Sequence, residues 1–229
     1  MSERLILASG SPRRANLLEQ IGLTFEIFRP DIDETPRPIE SARKYVTRMS
    51  EEKLLRSSEQ MKAFPGRVII CADTIVVLDG EIIGKPEGRE DAVSVLQRMS
   101  NRTHLVLTSV SIAETGFDDA EFDKTGFDKL GFDKTGLNQN GFGNNRMGEP
   151  RSFTVETSVK FRKLEIEECE AYWKTGEPAD KSGSYGIQGL GSIFVIGIEG
   201  SPSNVAGLPL METATELRKF GIDPLHSSN

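Results

Sequence analysis

Short apolar runs alternate with stretches of helical periodicity along this chain. Residues 5–8 form the first apolar run and predict a strand, and Ser11 and Pro12 then begin a stretch with leucines at helical spacing. Ser11 suits the N-cap and Pro12 the first helical position, while Gly22 marks the end of the predicted helix. The chain therefore begins with a strand, a tight loop and a helix.

A second apolar run, at 68–72, is rich in β-branched residues and predicts a buried central strand. Asp73 and Thr74 interrupt this run, which resumes at 75–78, and an Asp-Gly turn then predicts a β-hairpin. The same kinds of pattern predict further helices at 41–60, 90–99, 166–174 and 209–220 and further strands at 81–83, 105–113, 153–161 and 193–198. The alternation predicts an α/β protein with a mixed sheet.

One segment, 116–149, departs from this pattern because an apolar residue recurs at every fifth position: Phe117, Phe122, Phe127, Phe132, Leu137 and Phe142. A period of five gives no single apolar face on either a strand or a helix. The segment is also rich in Gly and Asp, which favours a flexible insertion over a pentapeptide solenoid. The Asp-x-Asp-x-Asp-Gly order of a calcium loop is absent. A role in partner binding stays open for this insertion.

Composition and charge narrow the class of protein. The chain has 229 residues with 37% hydrophobic and 28% charged, enough to fold as one large domain or two small ones. A net charge of −7 argues against a nucleic-acid partner. No stretch approaches the ~20 apolar residues of a membrane span, and the opening residues lack a secretory pattern, so we expect a cytoplasmic protein without membrane association. Two cysteines and two histidines make a zinc cluster improbable, and we expect two reduced, buried thiols.

The loop between the first strand and the first helix reads Ser9-Gly10-Ser11-Pro12-Arg13-Arg14. A helix N-terminus offers unpaired N–H groups to an anion, glycine permits close approach of the backbone, and arginines donate in a fork. This pattern is typical of a phosphate-binding loop. A capped helix with two solvated arginines explains it equally well.

Asp73 is the most suggestive acid, because we expect it at a strand end, where it would activate water or hold a divalent metal. Glu34 offers a second carboxylate. Lys53 stands among glutamates on a predicted helix, where a surface ion pair is the ordinary interpretation. Lys85 follows Gly84, but the glycine spacing and Pro86 exclude an ATPase P-loop.

A loop dense in glycine and hydroxyl residues, at 180–189, contains Gln188. Its amide carries both a donor and an acceptor, as reading a pyrimidine edge requires, although loop polarity alone also explains it. No nucleophile elbow of the Gly-x-Ser-x-Gly type occurs, so a serine hydrolase is not indicated.

Five motifs occur together and in order: Ser9-Gly10-Ser11-Pro12-Arg13-Arg14, Ala72-Asp73-Thr74, Gly84-Lys85-Pro86, Asp180-Lys181-Ser182-Gly183-Ser184-Tyr185-Gly186-Ile187-Gln188-Gly189 and Gly207-Leu208-Pro209-Leu210. In this order and spacing they resemble the Maf family of nucleotide pyrophosphatases, over 5–220 apart from the insertion. The resemblance implies a Maf/Ham1 (ITPase-like) α/β fold with a twisted mixed sheet. It also implies a single two-lobed domain over 1–229, with a central cleft.

The resemblance further implies hydrolysis of a nucleoside triphosphate to monophosphate and pyrophosphate with a divalent metal, Mg²⁺ or Mn²⁺. The implied catalytic residues are Asp73 as proton acceptor, Glu34, Lys53 and Lys85, with Glu34 and Asp73 holding the metal. The implied substrate-binding residues are Ser9, Ser11, Arg13, Arg14, Thr74 and Gln188. A homodimer is also expected from the family.

The form of the 184–189 loop is similar to the branch of the family that acts on dTTP and UTP. A pyrophosphatase of the branch acting on 7-methyl-GTP is the alternative within the family. The alternative to an enzyme is a non-catalytic, nucleotide-binding regulator of cell division. Cys71 stands where the family commonly has glycine, a mild departure close to the expected site.

Overall fold

The computed structural model describes residues 4–115 and 150–226, so the insertion predicted at 116–149 lies outside the described residues. The described part contains seven strands: β1 Leu5–Ala8, β2 Glu26–Phe28, β3 Val68–Leu78, β4 Glu81–Ile83, β5 Thr103–Glu114, β6 Arg151–Phe161 and β7 Val195–Glu199. It also contains six α-helices: α1 Pro12–Gln20, α2 Ala42–Met61, α3 Arg89–Met99, α4 Ile166–Lys174, α5 Pro202–Val205 and α6 Leu210–Lys219. Short 3-10 helices occupy Glu177–Asp180, Ser182–Ser184 and Leu190–Phe194.

All seven strands belong to one mixed sheet with the order β2-β1-β3-β5-β6-β7, and β4 pairs with β3. Strand β1 runs parallel to both β2 and β3, whereas the β3–β4 and β6–β7 pairs are antiparallel. Every residue of β1 is buried, as expected for a strand with parallel neighbours on both sides. The predicted α/β class with a mixed sheet is confirmed.

The described residues divide into two compact units. The first unit holds 4–73, 109–115, 150–154 and 207–226, and the second holds Thr74–Thr108 and Val155–Ala206. A core cluster of the first unit includes Ile6, Leu54, Ile69, Cys71 and Ala113. A core cluster of the second unit is rich in aromatic residues, among them Phe161, Tyr172, Tyr185 and Phe194. No helix in the described ranges is long and apolar enough to cross a membrane.

Strand β3 departs from the sequence prediction, because Asp73 and Thr74 do not interrupt it. The strand is continuous from Val68 to Leu78, so the expectation that Asp73 stands at a strand end is wrong. Its parallel register with β1 covers 68–70 and its hairpin register with β4 covers 76–78. Asp73 and Thr74 lie between these two registers and are half-buried. Two polar residues are therefore accommodated without ending the strand.

The hairpin itself is confirmed. Asp79 and Gly80 adopt φ values of 53° and 82°, the left-handed conformation that a two-residue hairpin loop requires. The last strand begins at Val195 and not at 193, because a 3-10 helix occupies Leu190–Phe194.

Cys71 and Cys169 are both free and buried, as the sequence predicts. Burial raises the pKa of the Cys71 thiol to about 12 and also raises that of Cys169. The thiolate is the nucleophile, so neither group reacts readily at neutral pH. We expect a colorimetric thiol titration at pH 8 to detect neither cysteine in the folded protein and both in denaturant. Rapid modification of a thiol in the folded protein would contradict this burial.

Candidate functional site

The loop between β1 and α1 is organised by hydrogen bonds of Ser9 and Arg14. Ser11 occupies the N-cap of α1 in an extended conformation and Pro12 is the first helical residue, as predicted. The Ser11 side chain makes no capping bond, and its backbone N–H donates to Ser9 Oγ at 3.2 Å. Arg14 donates from Nη1 to Ser9 Oγ at 3.1 Å and from Nε to the Gly207 carbonyl at 2.8 Å. Arg14 therefore holds the loop in place and is not a solvated arginine.

Two further arginines belong to this end of the first unit. Arg13 is half-buried. Arg29, which the sequence analysis missed, follows β2, and its Cδ and Nε lie 3.7 Å from where a Cβ on Gly10 would stand. Phe28 pairs with Ala8 in parallel strands, so Arg29 and Ser9 follow neighbouring strand ends. Arg29 was missed because β2 has only three residues, and its pairing with β1 cannot be predicted from so short a pattern.

Lys53 connects the two predicted acids. Its Nζ lies 2.7 Å from Asp73 Oδ1 and 2.8 Å from Glu34 Oε1. The Lys53 and Asp73 side chains are 12% and 15% exposed, and that of Glu34 is 56% exposed. The ordinary interpretation of Lys53, a surface pair with its helical neighbours, is therefore wrong. We call Glu34, Lys53 and Asp73 the carboxylate–lysine cluster.

Electrostatics within the carboxylate–lysine cluster favour a charged lysine. Burial lowers the pKa of Lys53, but the charges and hydrogen bonds of Asp73 and Glu34 outweigh burial and raise it above its ordinary value. The Tyr45 hydroxyl donates to the Glu34 carbonyl at 2.9 Å, and burial, followed by the nearby Asp73 and Glu34 charges, raises the pKa of Tyr45 to about 12. Tyr45 is a second residue that the sequence analysis missed, because its contact with Glu34 joins positions eleven apart.

Helix α2, which carries Lys53, is fixed by hydroxyl contacts within the first unit. Ser50 Oγ lies 2.9 Å from Ser109 Oγ on β5, and Thr47 Oγ1 lies 3.0 Å from Thr154 Oγ1 on β6. Ser57 Oγ donates to the Lys53 carbonyl at 2.6 Å. Hydroxyl pairs of this kind define the position of the helix more narrowly than apolar packing alone, because their geometry is directional.

In the second unit, the segments that carry Lys85 and Gln188 are joined by a backbone contact. The Gly183 N–H donates to the Gly84 carbonyl at 3.1 Å. Gly183 has a φ of 74°, and a Cβ there would lie 2.8 Å from Val76 Cγ2, so the position requires glycine. Lys85 and Gln188 are both exposed.

Thr74, also in the second unit, belongs to a hydrogen-bonded chain. Its Oγ1 lies 2.9 Å from Thr108 Oγ1, which donates to the Asn204 carbonyl at 3.0 Å. The single proton of Thr108 is used in that second bond, so Thr74 donates to Thr108. This contact orients the Thr74 hydroxyl.

Glu34 and Asp73 are the carboxylates expected to hold a divalent cation. In residues 4–115 and 150–226, no group of three or more His, Cys, Asp or Glu side chains is arranged to hold a metal ion. Glu34 and Asp73 nevertheless converge on one cationic atom of Lys53. Magnesium is commonly held by one or two carboxylates, with water and substrate phosphates completing its coordination. The pair of carboxylates fits that donor set.

The fold and these groups define an α/β protein equipped with cations and carboxylates suited to a phosphorylated ligand. Comparison with known proteins identifies the family within this class. The chain belongs to the Maf family: residues 4–220 match the family model described as Maf-like protein.

Curated relatives match nearly the whole chain. A dTTP/UTP pyrophosphatase of Methylococcus capsulatus is 42% identical over 219 residues, which cover 96% of this chain and 92% of the relative. Proteins of the same name from Hahella chejuensis and Vibrio vulnificus are 41% and 40% identical, over 96% and 95% of this chain and 93% and 98% of the relatives. The predicted family membership is confirmed.

Proposed function

We propose that this protein is a nucleoside triphosphate pyrophosphatase that hydrolyses dTTP and UTP to the monophosphate and pyrophosphate. The observation that carries the proposal is the carboxylate–lysine cluster, in which one lysine contacts two predicted catalytic acids. The names of the curated relatives support the same activity and the same two nucleotides.

Asp73 is the proposed general base. In this reaction a water oxygen attacks phosphorus at the α/β linkage, the bond to the bridging oxygen breaks, and pyrophosphate leaves. The attacking water must lose a proton, and Asp73 is half-buried with one carboxylate oxygen already bonded to Lys53. That contact fixes the carboxylate and leaves its second oxygen as the proton acceptor.

Cationic groups are proposed to stabilise the charge on the phosphates. Lys53 and Lys85 act on the departing pyrophosphate, and Arg13 and the N–H groups at the start of α1 act on the polyphosphate chain. Arg14 and Ser9 act indirectly, since their mutual hydrogen bond and the Arg14 bond to Gly207 shape the loop. Ser11 begins the helix that presents those N–H groups.

A divalent cation, Mg²⁺ or Mn²⁺, is part of the proposal, and Glu34 and Asp73 are the residues that would hold it. When bound, such an ion neutralises phosphate charge and lowers the pKa of a coordinated water. Lys53 keeps the two carboxylates together through its contacts with both.

Base recognition is assigned to Gln188, Thr74 and Arg13. The Gln188 amide offers one donor and one acceptor to the edge of uracil or thymine. We expect Gln188→Ala to lower the preference for UTP over CTP by about tenfold, because one or two hydrogen bonds of about 1 kcal/mol each are lost. The measurement is kcat/KM for pyrophosphate release from each nucleotide, with Gln60→Ala on the exposed end of α2 as the control.

A panel of dTTP, UTP, CTP, dATP, GTP and 7-methyl-GTP with Mg²⁺ or Mn²⁺ tests the proposed function itself. Release of pyrophosphate and monophosphate from dTTP and UTP is the expected result. Preference for 7-methyl-GTP would show that the 184–189 loop was misread. Nucleotide binding by folded protein without hydrolysis of any nucleotide would point to a regulator instead.

A further inference from the structure

One backbone amide before Gln188 and two after it donate hydrogen bonds to only two side chains, Tyr172 and Glu177. The Gly186 N–H donates to Tyr172 Oη at 3.0 Å, and the Leu190 and Gly191 N–H groups donate to the Glu177 carboxylate at 2.8 and 3.1 Å. The Tyr172 hydroxyl in turn donates to Glu177 Oε1 at 2.7 Å. We call Tyr172 and Glu177 the loop clamp. It holds the chain two residues before Gln188 and two and three residues after it.

The glycines of this loop are required by the loop clamp. A Cβ on Gly186 would lie 2.8 Å from Glu177 Oε1, and a Cβ on Gly191 would lie 2.6 Å from Tyr172 Oη. A Cβ on Gly189 would lie 2.4 Å from Glu177 Oε2, so a side chain there would displace this carboxylate from the loop clamp. The backbone is therefore wrapped closely around one carboxylate, which polarity alone does not explain.

The charge on Glu177 is maintained by its surroundings. Burial raises the pKa of this carboxyl, but hydrogen bonds from Tyr172, Gly191 and Leu190 and the charge of Lys181 outweigh burial and lower it. Lys181 Nζ also donates to the Glu177 carbonyl at 2.7 Å. An ionised carboxylate accepts hydrogen bonds without donating any, which suits three converging donors.

We infer that Glu177, acting with Tyr172, is a positioning residue for base selection: the loop clamp fixes the conformation in which Gln188 meets the pyrimidine. This inference rests on the proposed function, because it assigns the reading of the base to Gln188. Neither member of the loop clamp need touch substrate. Gln188 itself is exposed between the clamped amides, so its backbone is fixed while its amide stays available.

Glu177→Gln is the primary test, because it preserves shape while turning one acceptor oxygen into an NH₂ donor. That donor would face an amide N–H or the Tyr172 hydroxyl, so at least one bond of the loop clamp is lost. We expect the ratio of kcat/KM for UTP over CTP to fall about tenfold, mainly through a higher KM for UTP, with kcat changed less than about threefold. Tyr172→Phe is expected to act in the same direction.

A double-mutant cycle separates positioning from general stability. If Glu177 acts through Gln188, then Glu177→Gln has no further effect on UTP selectivity in a Gln188→Ala background. Additive effects of the two changes would overturn the inference. Glu167→Gln makes the same change on the exposed face of α4 and is expected to leave selectivity unchanged.

Hydrogen exchange distinguishes failure of this inference from failure of the proposed function. In Glu177→Gln, peptides covering 182–194 are expected to exchange faster, while α3 and α4 outside them are unchanged. UTP binding, measured by calorimetry without turnover, is expected to weaken about tenfold in the same variant. If the wild-type protein hydrolyses no nucleotide, the proposed function alone is overturned. If hydrogen exchange or UTP affinity is unaltered in Glu177→Gln, the positioning role of the loop clamp is overturned.

Discussion

Replacing Asp73 by asparagine is expected to lower kcat for UTP hydrolysis by about 10³-fold, with KM changed by less than about threefold. General-base catalysis contributes about 10²–10⁴ in rate, and an amide does not accept the proton of the attacking water. Asparagine keeps an oxygen that can accept the 2.7 Å bond from Lys53, so the geometry of the carboxylate–lysine cluster is preserved. Steady-state release of pyrophosphate measures the loss, and fluorescence titration with nucleotide measures the retained binding.

Asp79→Asn is the matched control for this change. Asp79 follows the same strand, is exposed at the hairpin turn and pairs with Arg102. Asparagine also tolerates its left-handed conformation, so both folding and turnover should persist. Near-normal activity of Asp73→Asn would remove Asp73 as the base.

Replacing Lys53 by methionine is expected to reduce both activity and stability. Loss of the ammonium removes phosphate neutralisation, and we expect kcat/KM for UTP to fall by about 10²-fold. It also leaves two carboxylates facing each other without their shared cation. Removing one member of a buried pair costs about 3–5 kcal/mol, and since Glu34 is more than half exposed we expect about 2 kcal/mol here, or a Tm lower by about 6 °C.

The stability effect has a defined pH dependence. The pKa of Lys53 is raised in the folded protein above its ordinary value of 10.5, so its contribution is fully present below about pH 10.5 and is lost as pH rises through the folded pKa. The difference in unfolding free energy between wild type and Lys53→Met should therefore be constant from pH 7 to 9. Lys44→Met, on the exposed first turn of α2, is the control and should alter neither Tm nor activity. Equal Tm values for wild type and Lys53→Met would contradict the importance of this contact.

The sequence predicted most of the larger elements because their burial follows their hydrophobic pattern. Helix α4 has the predicted bounds, and its apolar residues Cys169 and Tyr172 face the core of the second unit. Strand β2 was missed, since Glu26 and Ile27 are exposed and three residues give no usable periodicity. The 3-10 helix at Leu190–Phe194 likewise lacks the repeat that identifies longer helices.

Candidate site residues were predictable as residue types but their contacts were not. Asp73 stood out as an acid within an apolar run, yet its pairing with Lys53 joins positions twenty apart and depends on how α2 lies against the sheet. Glu177 gave no signal, because its importance comes from amides thirteen and fourteen positions later. The assignments of Arg13, Lys85 and Gln188 to substrate remain predictions.

The continuity of β3 has a consequence for how this chain tolerates change in length. Parallel pairing with β1 fixes one end of the strand and the hairpin with β4 fixes the other. Deleting one residue between them would pull the chain by about 3.3 Å and reverse the side on which every following side chain stands. Asp73 and Thr74 point to opposite sides, so deletion of Cys71, Ala72 or Asp73 would bring the Thr74 hydroxyl to the position of the carboxylate opposite Lys53. In natural or designed variants of this enzyme family, we therefore expect this stretch to accept substitutions while its residue count stays constant.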